Sequence, residues 1–159
     1  MKKLLLFFVF VLITQVGCKI TPVLAQQEQA IDEIVNVLRQ FQNDIVNQDL
    51  NSALKHVSAN YSVKAPDGTV QDYDWFKNYL ESEMGRINKN LADYSIIDQE
   101  LNVLKKEDNK FTVEYMFSDK GFNLNTQKEG IKRQKRIITL EKENGSWMIT
   151  QWYKVKLPE

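Results

Sequence analysis

The chain of 159 residues has one cysteine and one histidine. A single cysteine excludes a disulfide framework and any site built from several thiolates. A single histidine excludes a metal centre of several imidazoles. Glycine (6) and proline (3) are scarce, which excludes a collagen-like repeat and a Gly/Pro-rich linker protein. There is no Gly-rich phosphate loop, no metal-spaced His/Cys set and no nucleophile elbow. Neither charge sign is in excess, with 21 basic and 21 acidic residues. What remains is an ordinary globular composition, 43% hydrophobic and 26% charged, which excludes a disordered chain.

The N-terminus has the form of a signal peptide. Lys2 and Lys3 give a short positive start, and Leu4 to Ile13 is an unbroken apolar run. That run suits a signal h-region and is too short to span a bilayer. Two processing sites compete. Val23-Leu24-Ala25 offers small or apolar residues before a cut at Gln26, so residue types favour Ala25. Gln15-Val16-Gly17-Cys18 resembles a lipobox, in which Cys18 would be lipidated, and distance from the apolar run favours that site. Either way the expectation is export, with the short Lys-Lys start pointing to a bacterial chain, periplasmic or secreted, and lipid-anchored if Cys18 is used. Domains are read as 1–25 signal peptide and 26–159 a single folded domain. After the Ala25 cut, 18 basic face 21 acidic residues. That mildly acidic balance argues against general nucleic-acid binding. Contact with a membrane is expected only through the signal segment or a lipid.

From Ala30 the apolar residues Ile31, Ile34, Val35, Leu38, Phe41 and Ile45 recur at three and four, predicting a helix to about Asn47. Asp49 caps a second helix reaching about Asn60. Pro66-Asp67-Gly68 is a turn between Tyr61-Ser62-Val63 and Thr69-Val70. Asp72 or Asp74 caps a third helix through Trp75, Phe76, Tyr79, Leu80 and Met84, where helix is expected to stop. Strands follow. Tyr94 to Leu104 alternates irregularly, as a bulged strand does. Phe111, Val113, Tyr115 and Phe117 alternate cleanly with polar neighbours. Asp119 to Gly130 reads as a long loop, and Lys132 to Lys142 as a strand. Asn144-Gly145 signals a two-residue hairpin. The last strand runs from Trp147 to Val155, with Trp147, Ile149, Tyr153 and Val155 on one face. The fold class is α+β: three N-terminal helices packed on a curved antiparallel sheet.

The order and spacing of these segments resemble the nuclear transport factor 2-like superfamily, which includes ketosteroid isomerase-like and polyketide cyclase-like proteins. The segments are Asn47 to Leu54 after a long helix, Tyr61 before Pro66-Asp67-Gly68, a third amphipathic helix, and Asn144-Gly145-Ser146-Trp147-Met148-Ile149 at the end. The resemblance spans about Gln27 to Val155. It implies a cone-shaped α+β barrel with a pocket at its open end. It implies no single function, because isomerases, dehydratases, cyclases and non-catalytic domains share this fold. Several catalytic relatives place an acidic residue just before the aromatic at Tyr61. This chain has Asn60, which cannot exchange a proton near neutral pH.

The residues themselves offer few catalytic groups. His56 is a candidate general base by residue type, but a lone histidine at the edge of an apolar stripe is more often a boundary residue. Asp98 and Glu100 are the other catalytic candidates. With Asp93, Glu114 and Asp119 they are read as solvated strand residues rather than raised-pKa bases. Tyr61, Tyr79, Tyr94, Tyr115, Phe117, Trp147 and Tyr153 are the candidate pocket lining, against the plain reading of a small-domain core. Lys132, Arg133, Lys135 and Arg136 read as a solvated basic strand. No cofactor and no metal is expected. The function expected is an exported binding domain without catalysis, taking a small apolar molecule or a protein partner. Its rival is a cofactor-independent isomerase, dehydratase or cyclase. The third reading is a structural domain that forms a homodimer through its sheet.

Overall fold

The computed structural model describes residues 21–156, with side chains from residue 26. The signal-peptide core and Cys18 lie outside the described residues. Helix α1 spans Thr21–Val46. The chain divides into two units at Glu33/Ile34. In the first, Gln29 donates to Glu33 along the helix (3.1 Å). No helix among the described residues is long and apolar enough to cross a membrane.

From Ile34 onward, α1 buries Ile34, Leu38, Phe41 and Ile45. Their spacing of four, three and four keeps them on one stripe. Helix α2 is short, Leu50–Leu54, and starts where the Asp49 carboxylate accepts from Ser52 N (3.0 Å). It ends six residues before the expected Asn60. Lys55 and His56 close tighter turns onto Ser52 and Ala53. Ile149 N then donates to His56 O and Ser58 N to Ile149 O, tying the segment to the sheet. Strands β1 (Ser62–Lys64) and β2 (Val70–Asp72) form a small hairpin. In its turn the Asp67 carboxylate accepts from Thr69 N, and Gly68 takes the left-handed φ of 88° that favours glycine.

Asp72 caps α3, Tyr73–Asn90, through Trp75 N (2.9 Å). The helix runs six residues past the expected Met84. Ile87 extends the buried stripe of Phe76, Leu80 and Met84 by one more turn. Asn90 closes the end by donating to Arg86 O. The chain passes at once into β3 (Leu91–Glu107), followed by β4 (Lys110–Asn123), β5 (Lys128–Glu143) and β6 (Ser146–Val155). These four pair antiparallel in the order β3-β4-β5-β6.

Two features of this sheet overturn expectations. The expected loop from Asp119 to Gly130 is mostly strand: β4 and β5 stay paired out to Asn123 and Lys128. The alternation of β4 continues through Asp119 and Gly121, both inward-facing, and the true loop is only 124–127. In β6 the register steps from Leu140–Ile149 to Thr139–Gln151, so Thr150 is an extra residue. A bulge reverses which side chains face inward beyond it. Trp152 therefore takes the inner position expected for Tyr153. It packs against Phe41 (ring centroids 5.2 Å) and Phe76 (6.2 Å). A bulge is expected in β3, and the register shifts at three places there.

Candidate functional site

Inward alternation on β4 and β5 brings Phe117, Asp119, Gln134 and Arg136 to the same face, beneath α3. Asp119 is 8% exposed. Its Oδ2 accepts from the Tyr94 hydroxyl (2.9 Å) and from Gln134 Nε2 (2.6 Å). Gln134 then accepts, through Oε1, from Arg136 Nη2. Tyr94, Asp119, Gln134 and Arg136 form one continuous polar chain. Arg136 is 5% exposed, with Nη1 donating to Lys135 O (3.0 Å). Its guanidinium lies 5.5 Å from the Phe117 ring centre and 5.9 Å from that of Trp152, a cation–π arrangement.

A cavity of about 50 Å³ opens onto this chain, walled by Tyr79, Tyr94, Phe117, Trp152, Arg86 and Arg136. A second, of about 240 Å³, shares Arg86, Tyr94 and Gln134 with it and adds Asp119, Lys120 and Lys132. A larger apolar groove of about 520 Å³ lies on the other side, lined by Trp75, Phe76, Tyr79, Trp152 and Tyr153. Trp75 and Tyr79 stack there, 5.5 Å apart and nearly parallel.

Burial first, then the neighbouring Asp119 charge, pushes the Tyr94 phenol well above the ordinary tyrosine range. Tyr94 is therefore a donor, not a phenolate, at neutral pH. Tyr79 is raised by burial first and then by Glu83, with Arg136 acting the other way. Burial lowers the pKa of Arg136, yet a guanidinium remains charged across the physiological range.

The residues singled out from sequence fall in three places. Tyr79, Tyr94 and Phe117 line the small cavity, and Tyr153 lines the groove. Tyr61, Tyr115 and Trp147 are buried in the core, at 2%, 2% and 4% exposure, and line none of these cavities. Tyr61 stacks on Phe76 (4.4 Å) and Trp147 meets Phe111 edge-on (5.2 Å). The catalytic candidates lie elsewhere. His56 Nε2 is 3.2 Å from Asp44 Oδ2. Asp98 and Glu100 are exposed, and Glu100 pairs with Arg133 (3.2 Å). Asn60 is exposed too.

The sequence pattern alone does not single out Asp119, Gln134, Arg136 or Trp152 as site residues. It marks Asp119 and Arg136 as solvated, whereas the structure buries both. Strand parity was the usable signal, since Asp119 continues the Phe111–Phe117 alternation and Arg136 that of Ile138 and Leu140. No three acidic, histidine or cysteine side chains among the described residues come together as a metal site.

No protein-family model matches the sequence, and no curated protein matches it. Solved structures do match. A nuclear transport factor 2-like superfamily protein from Salmonella enterica serovar Typhimurium superposes with a TM-score of 0.65 at 14% identity, covering 84% of this chain and 94% of that one. A scytalone dehydratase-like protein from Novosphingobium aromaticivorans gives 0.64 at 12% identity, over 82% and 87%. The association domain of CaMKII from C. elegans gives 0.59 at 12% identity, over 83% and 98%. The chain has the nuclear transport factor 2-like fold, an α+β cone with helices packed on a four-stranded antiparallel sheet.

Proposed function

We propose that this chain is an exported, non-catalytic domain that binds a small molecule in the cavity between α3 and the inner face of the sheet. One observation carries the reading: an aromatic wall of Tyr79, Tyr94, Phe117 and Trp152 surrounds a buried polar chain that reaches the cavity. Sites of this kind pair apolar walls with a few fixed polar groups. His56, Asp98 and Glu100 stand outside the cavity, which supports binding rather than proton transfer. Export rests on the Lys2-Lys3 start and the apolar run behind it, with release after Ala25 or lipid anchoring at Cys18 as its two forms.

Asp119 favours a second reading. A buried carboxylate beside a protonated tyrosine is a base and a hydroxyl donor in one cavity, as a cofactor-independent isomerase, dehydratase or cyclase requires. Some structural neighbours are association domains, which is compatible with a homodimer; sedimentation at micromolar concentration tests that separately.

Native mass spectrometry of the mature protein from its own host tests the main reading. A bound small molecule, lost on denaturation, is the expected result. A bare polypeptide mass, with no thermal shift from any of a panel of small organic molecules, overturns it. The same mass places the N-terminus at Gln26 or at a lipidated Cys18.

A further inference from the structure

Arg136 is a buried cation with no direct ion pair, although Glu83 and Asp119 lie near enough to act on its charge. None of the ion pairs among the described residues includes it. Its terminal nitrogens donate to neutral oxygens, of Lys135 and Gln134, and the Tyr79 hydroxyl is a further neutral partner. Its Nε has no hydrogen-bond partner. The carboxylates nearby are already engaged. Asp119 is held by Tyr94 and Gln134, and the Gln134 amide stands between it and the guanidinium. Glu83 is taken by Arg86 at 2.9 Å. Rings of Phe117 and Trp152 flank the guanidinium.

A buried charge with an orphaned N–H is costly unless something completes it. Arg136 is one wall of the 50 Å³ cavity, and Arg86, Gln42 and Tyr79 offer further donors there. At about 10–15 Å³ per water-sized site, that volume admits roughly four heavy atoms, the size of a carboxylate and one or two carbons. The 520 Å³ groove is aromatic and adjoins the cavity, with Tyr79, Glu83 and Trp152 lining both, so a ligand body larger than the cavity extends into it. A dianion would meet Glu83 and Asp119 at close range, so a single charge suits the site better.

Given a small-molecule pocket, we infer that its ligand is a monocarboxylate with a compact apolar body. The carboxylate docks on the part of the Arg136 guanidinium that walls the cavity. The body lies against Tyr79 and Trp152. A planar guanidinium and a carboxylate match in geometry as well as in charge.

The test uses the mature protein labelled with ¹⁵N-arginine, titrated with acetate and with 3-phenylpropionate. Neutral 3-phenylpropanamide is the control. The Nε–H resonance of Arg136, identified by its loss in Arg136→Lys, shifts on adding either acid. The acid binds about 10- to 100-fold more tightly than its amide, the range expected for one charge-assisted hydrogen bond. Arg136→Met abolishes that preference and leaves amide binding in place. Acid and amide binding alike, or an acid that moves other signals but not Arg136, overturns the inference and leaves the pocket reading intact. A folded protein that binds neither overturns both. Should Arg136→Met fail to fold, the wild-type resonance still decides.

Discussion

The inner face of the sheet has two ends of opposite character. At one end Phe111, Val113, Ile138, Leu140 and Ile149 meet, each at most 1% exposed. At the other end the same two strands carry Tyr115, Phe117, Asp119, Gln134 and Arg136. The pairing register runs straight from one to the other: Phe111 opposite Leu140, Val113 opposite Ile138, then Tyr115 opposite Arg136 and Phe117 opposite Gln134. Among the described residues, the two buried side-chain atoms without a hydrogen bond are the Tyr115 hydroxyl and Arg136 Nε. They fall on one directly opposed pair. A single alternation therefore builds both regions, and only the residue types change. The apolar end supplies cohesion. The polar end forgoes some of it, as functional sites commonly do.

Breaking the apolar end has the largest effect. Ile138→Ala leaves a cavity in a fully buried position and costs about 2–5 kcal/mol, read as a lower urea midpoint at constant m-value. A loss under about 1 kcal/mol would show that this end repacks and is no better built than the other. Arg136→Met gives the opposite sign. Removing a buried charge that has no direct ion pair in favour of an apolar chain of similar length raises stability by about 1–2 kcal/mol, by analogy with buried charges replaced by hydrophobic residues. A clear loss of stability would make Arg136 a structural residue, held by Phe117 and Trp152 for packing alone.

Alkali sharpens the contrast next. Tyr61 and Tyr115 are almost fully buried, and burial raises both phenols far above their ordinary value near 10. A group whose folded pKa is raised keeps its proton in the native state after the unfolded chain has lost it. Its stability contribution is whole below pH 10 and declines as pH rises beyond it. The slope approaches 1.4 kcal/mol per pH unit for each such tyrosine, on the order of the general linkage value. Equilibrium unfolding between pH 9 and 11.5 shows a decline that begins near 10 and is shallower in Tyr115→Phe. A flat profile would mean that these hydroxyls reach solvent.

Local signals were legible in the sequence. The caps at Asp49 and Asp72, the Asn144-Gly145 turn and the first helical stripe all arise from residues within one turn of each other, and each stands where expected. Less legible were decisions made by distant partners. Asp119 and Arg136 obey strand parity, but a charged residue reads as solvated unless the chain is known to run on beneath a helix. The extra residue at Thr150 has no glycine or proline to announce it. It becomes visible only in the pairing of β5 with β6, and it exchanges Trp152 for Tyr153 at the pocket wall. The third helix outran its expected end because Gly85 and Arg86 dilute the apolar pattern before Ile87 restores it. The fold could be read from order and spacing, whereas the site needed the register.

The smallest expected effect lies on the outer face of the same sheet. Glu100 and Arg133 are both 53% exposed and paired at 3.2 Å. An exposed pair of this kind contributes about 0.2–1 kcal/mol, less in salt. Glu100→Gln therefore changes stability by no more than that, and leaves binding of 3-phenylpropionate unaltered. Asp119→Asn in the same assay is the counterpart. Its amide oxygen still accepts from Tyr94 or Gln134, so folding is largely kept. The loss of a negative charge beside the cavity strengthens carboxylate binding, and with it the contrast between one carboxylate facing water and one facing the pocket. If Glu100→Gln altered binding as much as Asp119→Asn, the charge would be acting through the field of the whole molecule. The division between inner and outer faces would then carry no functional meaning. With a Debye length of about 8 Å at physiological ionic strength, a solvated carboxylate on the far face is screened before it reaches Arg136.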